Sequence, residues 1–390
     1  MDPTINPYSM GAGNPPPALT GREIQEEEFR ILLARLSNGM SERSMIVSGL
    51  RGVGKTVLLL EFEGIAGEAG WTTSPPIEIR SDTDLRGELA NVAYQALLQL
   101  SARRALGDRL RWFTGLLRGF KVGASTEGNV EFSFDPQMTG GATGNLERDL
   151  TILFKELGQT AAERKTGVLF LIDEMQFLGR EELEAVAAAM HRMSQRQLPV
   201  ALVGAGLPPL PGLMVEAKSY AERLFAYPKL GPLSEEAARQ ALAAPADARG
   251  VAWDEEALAH IVRESGCYPA FIQAYGKAAW NAAPHSPIRL ADVLAAEALV
   301  LTELDDEFFH VRFEKASDRE REYMAAMADL GEGPLRTADV AKRLARGVSS
   351  TSSTRDALIK KGLIYSPGYG EVAFTVPKFS PFMRRRYPLA

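Results

Sequence analysis

The chain alternates short, continuous apolar runs with longer segments in which apolar residues recur every three or four positions. Residues 45–47, 167–172 and 200–203 are apolar runs of strand length, whereas residues 181–195 show helical spacing. A continuous apolar run is typical of a strand in a parallel sheet that is covered on both faces. Strands that alternate with helices predict an α/β fold with a doubly wound parallel sheet.

The first 232 residues are expected to form this sheet and its helices. Strands are predicted at 44–48, 73–79, 167–172 and 200–204, with helices at about 20–36, 56–66, 84–106 and 181–195. Residues 1–20 are rich in Pro, Gly and Asn and predict an irregular arm. Residues 103 to about 145 are an insertion in which two alternating segments flank turn residues 126–129, a pattern that predicts a β-hairpin. Its basic residues favour a DNA or partner contact, and a plain surface hairpin is the alternative.

The rest of the chain divides into two further predicted units beyond a core at 21–232. Helices expected at 234–243, 254–264, 269–282 and 290–309 predict a helical lid at 233–316. The last unit, 317–390, has expected helices at 318–330, 337–344 and 353–361, then strands at 362–365 and 372–376 around the turn 367–370. Three helices and a two-stranded wing predict a winged helix, a variant of the helix-turn-helix fold.

Composition changes this picture little. Values of 45% hydrophobic and 24% charged residues are ordinary for a globular protein. A single cysteine, Cys267, excludes an internal disulfide, and the four histidines show no metal-ligand spacing. No run approaches a membrane span, and the first residues lack the regions of a signal peptide. We therefore expect a cytoplasmic protein without membrane contact.

The net charge of −6 is distributed unevenly. From Gly333 to the end, eleven Lys or Arg face three Asp or Glu, which gives this section +8 and leaves −14 for the rest. A basic section joined to an acidic one predicts a polyanion contact at one end only.

A complete phosphate-binding loop of the form G-x-x-x-x-G-K-[ST] follows the first predicted strand. It consists of Gly49, Leu50, Arg51, Gly52, Val53, Gly54, Lys55 and Thr56. The glycines let backbone N–H groups of the loop point at phosphate oxygens. Lys55 is expected to reach the β- and γ-phosphates, and the Thr56 hydroxyl to bind Mg²⁺. The motif predicts binding of ATP or ADP together with Mg²⁺.

The apolar run 167–172 ends in two adjacent carboxylates, Asp173 and Glu174. The carboxyl ends of strands in such a sheet open onto the ligand crevice. We therefore expect Asp173 to hold Mg²⁺ and Glu174 to polarise the attacking water as a general base. The alternative is a buried strand that ends in a solvated Asp-Glu pair, but the phosphate-binding loop upstream favours the catalytic interpretation.

The third helix of a winged helix lies in the major groove of duplex DNA, and its wing follows a phosphate strand. The residues expected to face DNA are Ser350, Ser352, Ser353, Arg355, Lys360, Lys361, Arg384, Arg385 and Arg386. The serines and Arg355 belong to the expected start of the helix, and the other cations suit phosphate contacts. The alternative is a winged helix that binds protein, with its basic residues solvated.

The phosphate-binding loop, the Asp-Glu strand, the lid and the winged helix, in this order, resemble AAA+ ATPases of the origin-recognition initiator type and related STAND-like ATPases. The resemblance runs from Gly21-Arg22-Glu23 to the wing, and it implies that Gly21 and Arg22 lie beside the adenine. Residues 219–225 are similar to a stretch that carries an arginine finger. The resemblance implies that Arg223 reaches the γ-phosphate of a neighbouring subunit in a homo-oligomer formed on ATP binding. A salt-bridging arginine is the alternative.

Two segments depart from the initiator pattern. Residues 204–208, Gly-Ala-Gly-Leu-Pro, carry no polar sensor, and residues 265–270 resemble the Gly-x-x-Pro lid of STAND-type switches, in which Pro269 packs near the nucleotide. Residues 173–176, Asp-Glu-Met-Gln, are similar to a motif of ATPases that regulate DNA transposition. The sequence favours an ATP-binding and ATP-hydrolysing switch that binds double-stranded DNA through its winged helix. The alternative is a STAND-like regulatory or scaffolding NTPase whose last domain binds protein, with slow or no hydrolysis.

Overall fold

The structure is a computed structural model that describes residues 1–9, 11, 13, 16–80, 82–101, 120–124, 130–134 and 145–389. Strands of the first 232 residues are β1 (Ser44–Gly49), β2 (Ile77–Glu78), β3 (Phe120–Ala124), β4 (Val130–Phe134), β5 (Val168–Asp173), β6 (Val200–Gly206), β7 (Phe225–Ala226) and β8 (Lys229–Leu230). Six of them form one sheet in the order β2-β5-β6-β1, with β7 and β8 both beside β1. All of its pairings are parallel, which confirms the predicted parallel sheet.

The register of the sheet brings three carboxyl ends to one edge. Strand β6 lies between β1 and β5, with Ser48 opposite Gly206 on one side and Ile172 opposite Gly204 on the other. The loops that leave β1, β5 and β6 therefore meet above the same edge. This edge is where a doubly wound sheet binds its ligand.

Helices cover both faces of the sheet. They are α1 (Glu23–Ser37), α2 (Lys55–Glu68), α3 (Leu85–Ser101), α4 (Leu146–Glu163), α5 (Arg180–Gln195), α6 (Leu210–Ala217) and α7 (Ala221–Leu224). Every residue of β1 and β5 is buried, because neighbouring residues of each strand enter opposite cores. Val47 joins the core of α1 and α2, where Phe29 stacks on Phe62 at 4.2 Å. Ile46 joins the core of α3, α4 and α5, where Phe154 stacks on Phe170 at 4.3 Å.

The lid consists of α8 (Glu235–Asp247), α9 (Glu255–Ser265), α10 (Pro269–Ala282) and α11 (Leu290–Glu303). A single helix was expected over 290–309, but α11 ends at Glu303 and a π-helical segment, Leu304–His310, leads into the short α12 (Val311–Phe313). In π-helical winding, residues five positions apart stack on each other. Leu304 and Phe309 therefore both enter the core.

The amino-terminal arm packs along the lid. Its described residues include one 3-10 turn, Pro3–Ile5. The indole N–H of Trp280 donates to the Asp2 carbonyl at 3.0 Å, and that of Trp253 donates to the Tyr8 hydroxyl at 3.0 Å. The Tyr8 ring is buried against Gly276, where an added Cβ would come within 2.8 Å of it. The arm therefore contributes to the core of the lid.

The remaining residues, 317–389, form what we call the C-terminal module. It contains α13 (Asp318–Leu330), β9 (Leu335–Arg336), α14 (Thr337–Arg343), α15 (Val348–Lys360), β10 (Ile364–Tyr365), β11 (Glu371–Phe374) and α16 (Phe379–Arg386). The strands form an antiparallel sheet in the order β10-β11-β9. The three predicted helices and the two wing strands are confirmed as elements, whereas β9 and α16 were not predicted.

Helix α15 begins five residues before the predicted start at residue 353. The hydroxyls of Ser350, Thr351 and Ser352 each donate to the carbonyl three residues back, so the Ser/Thr-rich segment satisfies its own polar groups inside the helix. Thr351 and Leu358, two turns apart, are buried and fix this helix to the module. Ser352 and Ser353 consequently lie in the second turn and not at the helix start.

Helix α16 joins the module to the lid through its arginines. Arg384 donates to the Ala328 carbonyl at 2.6 Å, and Arg385 and Arg386 contact the buried carboxylate of Asp305 at 2.6 and 3.2 Å. The three arginines expected at DNA phosphates are thus engaged within the molecule. The basic character of the module is also smaller than the sequence suggested, because residues 317–332 add five acids against two arginines and lower its net charge from +8 to +5.

The hairpin predicted in the insertion is confirmed by the antiparallel pairing of β3 and β4, with Phe120 opposite Phe134. The basic residues that precede the hairpin, from Arg103 to Arg118, lie outside the described residues. In the part of the chain that the structure describes, no helix is long and apolar enough to cross a membrane.

Replacing Asp305 should destabilise the protein, because this carboxylate is 4% exposed and is the common partner of two arginines. We expect Asp305→Asn to lower the free energy of unfolding by about 2 kcal/mol. The matched control is Asp306→Asn, since the Asp306 side chain is 64% exposed and contacts Arg386 only at 3.5 Å; a change below about 0.5 kcal/mol is expected there. Urea denaturation measures both values, and equal effects would contradict the role given to Asp305.

Candidate nucleotide-binding site

The phosphate-binding loop joins β1 to α2, and its sequence fits its backbone. Gly52 and Gly54 have φ angles of 80° and 94°, in the left-handed region that glycine adopts without strain. Gly49 is required for a different reason, because an added Cβ would lie 2.7 Å from the Leu230 carbonyl of β8. The amino end of α2 follows directly and directs its positive dipole end at the loop.

Lys55, Thr56 and Asp173 lie together at the sheet edge. The ammonium group of Lys55, which is 7% exposed, donates to the carbonyls of Gly49 and Leu50, both at 3.0 Å. Burial lowers the pKa of Lys55, and the nearby carboxylates oppose this shift. The Thr56 hydroxyl donates to Asp173 Oδ2 at 2.5 Å. Burial raises the pKa of Asp173, while the hydrogen bond from Thr56 opposes the shift. The two sequence motifs are therefore in direct contact.

Glu174 occupies a tight turn after β5, with a φ angle of 55°. Its Oε1 accepts a hydrogen bond from Arg51 Nη1 at 2.9 Å, and its Oε2 accepts one from the side-chain amide of Gln176. The carbonyl oxygen of that amide accepts from the Leu207 N–H at 2.9 Å. Gln176 was not among the predicted site residues, although its place two residues after Glu174 is a local signal that could have found it.

The glycines of β6 explain why no sensor side chain ends that strand. An added Cβ at Gly204 would overlap the Met175 sulfur, and one at Gly206 would lie 2.5 Å from the Gln176 amide oxygen. The turn after Asp173 therefore folds over the end of β6. The amide of Gln176 lies where a polar side chain of β6 would otherwise stand.

Residues near the lid surround the other side of the loop. Arg22 is buried and donates to the carbonyls of Val53 and Gly231, both at 3.0 Å. Gly21 precedes Arg22, and a Cβ added at Gly21 would overlap the side chain of Ala237. The N–H of Ala270, which follows Pro269 at the start of α10, donates to the Gly52 carbonyl at 3.3 Å. The sequence elements assigned to the nucleotide thus adjoin the phosphate-binding loop.

Arg312 is a second residue that the sequence analysis missed. Its guanidinium lies 4.3 Å from the centre of the Phe308 ring and donates to the Phe308 carbonyl. Phe308 in turn packs on Gly52, where an added Cβ would be 3.0 Å from the ring. Burial lowers the pKa of Arg312 to about 10; repulsion from Arg51 adds to the shift, and Glu174 opposes it. No local motif marks an arginine so distant in sequence from the loop.

Arg223, the candidate arginine finger, lies away from this site. It is exposed on α7, directly before β7, and Phe225 of β7 pairs with Ser44 at the start of β1. Five residues separate Ser44 from Gly49, so a rise of about 3.3 Å per residue puts Arg223 roughly 16 Å from the loop of its own chain. Arg223 therefore does not contact the phosphate-binding loop of its own chain.

The candidate DNA-binding residues do not form one surface with the arginine run. Ser353 and Lys360 are exposed on α15. Arg355 contacts Asp356 at 2.8 Å, and Lys361 contacts Glu320 at 2.6 Å. Arg385 and Arg386 are paired with acids and Arg384 donates to a backbone carbonyl, so Lys360 is the cation of this group that has neither kind of contact in the described part of the chain.

Comparisons with known proteins agree with this geometry. Residues 18–203 match the family described as "AAA ATPase domain". Over these residues the chain is similar to AAA ATPase domains. Residues 306–383 match a family described as a domain of unknown function, DUF8462. No curated protein matches the sequence.

Several solved structures are similar to the whole chain. The Walker-type ATPase PABY2304 of Pyrococcus abyssi has 16% identity and a TM-score of 0.54, with 94% of this chain and 96% of that chain covered. The Orc1 protein of Aeropyrum pernix in complex with DNA has 16% identity, a TM-score of 0.45 and coverage of 95% and 94%. The RuvB Holliday junction branch migration motor of Thermotoga maritima has 15% identity and a TM-score of 0.47, with 95% of this chain and 96% of that chain covered. At these identities the likeness concerns the fold alone.

The residues of the ATPase domain fit a nucleotide with Mg²⁺. The ammonium of Lys55 is buried against carbonyl oxygens, and the two oxygen ligands of Thr56 and Asp173 stand side by side. The buried hydroxyl of Tyr268 has no hydrogen-bond partner among the described residues, and it lies near Arg22. Lys55 would hold phosphate, Thr56 and Asp173 would hold the metal, and Tyr268 would meet the base or ribose.

Lys55→Ala should remove nucleotide binding from the ATPase domain, because no other ammonium group reaches this part of the loop in the described structure. We expect affinity for ATP to fall by about 100-fold or more. Titration with a fluorescent ATP analogue measures the loss, and Lys229→Ala, an exposed lysine of β8, is the control. Tight binding by Lys55→Ala would remove the loop from the assignment.

Proposed function

We propose that this protein binds and hydrolyses ATP as a molecular switch whose nucleotide state controls the C-terminal module. The observation that carries the proposal is the contact between Thr56 and Asp173 at 2.5 Å, which unites the phosphate-binding loop with the acidic end of β5. Lys55 binds the β- and γ-phosphates, and Thr56 and Asp173 hold Mg²⁺. When bound, the metal would supply charge neutralisation to the phosphates.

Glu174 is the proposed general base. Its carboxylate accepts a proton from the attacking water as the oxygen bonds to the γ-phosphorus, and the bond to the β-phosphate oxygen breaks to give ADP and phosphate. Gln176 holds one oxygen of this carboxylate and thereby orients the other. The arrangement keeps the base at the carboxyl end of β5, beside the loop.

Arg223 is the proposed arginine finger of a homo-oligomer. Its exposure and its distance from the loop of its own chain support action on a neighbouring subunit. A guanidinium supplied in this way stabilises charge in the transition state. Hydrolysis would then depend on assembly, which ATP favours by occupying the interface.

The C-terminal module is proposed to be a winged helix that binds double-stranded DNA. Its order of helices and strands supports this interpretation, with α15 as the recognition helix and the turn between β10 and β11 as the wing. The exposed start of α15, residues 347–349, offers backbone N–H groups and the Ser349 hydroxyl to phosphates, and Lys360 adds a cation that has no ion pair among the described residues. The arginines of α16 have no part in this interface, because they contact Asp305 and Ala328.

A STAND-like switch whose module binds protein is the second candidate. The specific observation in its favour is that ion pairs inside the molecule neutralise most candidate DNA-binding cations, among them Arg355, Lys361 and Arg385. Such a surface attracts a polyanion only weakly. The two candidates share the ATPase site and differ in the partner of the module.

ATP turnover by the wild type and by Glu174→Gln, with and without duplex DNA, tests the proposed reaction. We expect the variant to bind ATP normally and to hydrolyse it about 100- to 10,000-fold more slowly, because the amide cannot accept the proton. DNA should stimulate the wild type at low salt and do so less at physiological salt. Normal turnover by Glu174→Gln would exclude it as the base, and turnover indifferent to DNA would favour a protein partner.

Arg223→Ala should abolish the rate gain on assembly. At protein concentrations that give oligomers, we expect hydrolysis to fall by about a thousandfold with nucleotide affinity unchanged. Arg180→Ala, which removes an exposed arginine paired with Glu184, is the control. The decisive experiment mixes Arg223→Ala with Lys55→Ala subunits: activity should be partly restored, because a Lys55→Ala subunit supplies Arg223 to the intact site of an Arg223→Ala neighbour. A mixture as inactive as the separate variants would contradict action between subunits. Full activity of Arg223→Ala alone would show that it is only a surface arginine.

A further inference from the structure

We propose that Arg51 is a positioning residue that couples the catalytic base to the C-terminal module, a role that rests on the proposed ATPase function. One guanidinium holds Glu174 and the module at the phosphate-binding loop at the same time. A γ-phosphate competes with Glu174 for this guanidinium. When the γ-phosphate binds this guanidinium, Glu174 is released and the contact of Arg51 with the module weakens in the same step.

The first contact joins Arg51 to the base. Arg51 Nη1 lies 2.9 Å from Glu174 Oε1, and the two side chains are only 20% and 19% exposed. Because Gln176 takes the other carboxylate oxygen, both oxygens of Glu174 have a hydrogen-bond donor. Release of the Arg51 contact would leave Oε1 of Glu174 open to a water molecule.

The second set of contacts joins Arg51 to the module. Its backbone N–H donates to the Thr375 carbonyl at 3.0 Å, and its guanidinium Nε approaches the Gly362 carbonyl at 3.4 Å. These two carbonyls flank the wing strands β10 and β11. The Thr375 hydroxyl also donates to the Gly362 carbonyl at 2.7 Å, which ties both acceptors into one unit. Arg51 thus contacts the module where Gly362 and Thr375 are joined by a hydrogen bond.

Gly362 is shaped for this approach. It has a φ angle of 64°, and an added Cβ would lie 2.9 Å from Arg51 Nη2. Glycine is therefore needed both for the backbone conformation and for the space that the guanidinium occupies. The module carries a complementary site for the side chain of a residue in the phosphate-binding loop.

The charges around Arg51 favour an exchange to phosphate. Arg312 lies close enough to Arg51 for mutual repulsion, and Glu174 interacts with both of them. Lys55 is a third cation at the same sheet edge. The two carboxylates at this edge, Asp173 and Glu174, do not neutralise the three cations, so an additional anion beside Arg51 and Arg312 is stabilised. The γ-phosphate is the group that distinguishes ATP from ADP here.

Hydrogen exchange of the full-length protein, read by mass spectrometry on residues 362–376, tests the coupling directly. In the wild type, a non-hydrolysable ATP analogue with Mg²⁺ should speed exchange of this segment about tenfold, whereas MgADP should not. Arg51→Met should show the same fast exchange without nucleotide, and the analogue should not increase it further. The expected size is about tenfold, because loss of a charge-assisted hydrogen bond changes an opening equilibrium by about this factor. The exchange rate of Arg51→Lys, which keeps the charge, should lie between those of the wild type and Arg51→Met.

The matched control is Arg80→Met, because Arg80 forms an exposed ion pair with Glu78 at 3.0 Å away from the module. Steady-state kinetics supply a second readout: Arg51→Met should raise KM for ATP about tenfold and lower kcat less than threefold, because the phosphate contact is lost while Glu174 is freed. A merely structural arginine would lower kcat and leave KM unchanged.

The outcomes separate the coupling from the ATPase assignment. If the wild type binds no ATP analogue in a fluorescence titration, the proposed function fails, yet faster exchange in Arg51→Met than in Arg80→Met still supports the contact with the module. If the wild type binds the analogue but residues 362–376 exchange equally in all variants, Arg51 does not couple the two. Equal acceleration by MgADP and by the analogue would also overturn the exchange with the γ-phosphate.

Discussion

The structure depends on one geometrical constraint, the parallel register of β1, β6 and β5. Parallel strands end at a common edge, so the phosphate-binding loop after β1 and the carboxylates after β5 lie on opposite sides of the end of β6. The end of this intervening strand must lack side chains, and its glycines Gly204 and Gly206 leave the space that Met175 and Gln176 occupy. The contact between Thr56 and Asp173, and the support of Glu174 by Gln176, follow from this spacing.

Local chemistry explains which parts could be predicted from sequence. The loop glycines, the apolar runs of β1 and β5 and the adjacent carboxylates each carry their signal within a few residues. The sequence therefore predicted the sheet and the edge at which these motifs meet. The residues at which helices begin and end were predicted less accurately from the sequence. The Ser/Thr-rich start of α15 looks like a turn in isolation, but its hydroxyls bond within the helix and Thr351 is buried against the module. Tertiary packing decided this boundary, and a single sequence does not contain that packing.

Contacts between distant segments could not be predicted. Arg51 contacts Glu174 and Gly362, and Asp305 contacts Arg385, across long separations in sequence, and no sequence pattern indicates that these residues are partners. The basic run of α16 illustrates the consequence. As a sequence it is typical of a phosphate-binding tail, yet a buried carboxylate in the π-helical segment neutralises it. Charge counts along a chain predict a polyanion contact only where the folded molecule leaves the charges unpaired.

The charge balance at the sheet edge connects the site to the rest of the molecule. Burying cations costs free energy unless they are paired, and Lys55, Arg51 and Arg312 share only Asp173 and Glu174 nearby. The backbone supplies the missing compensation, through carbonyls of Gly49 and Leu50 for Lys55, Phe308 for Arg312 and Gly362 for Arg51. Two of these carbonyls belong to segments outside the ATPase domain. An anion that replaced these carbonyls at the loop would weaken the attachment of those segments. This electrostatic link is the physical basis of the proposed response of the lid junction and the C-terminal module to phosphate.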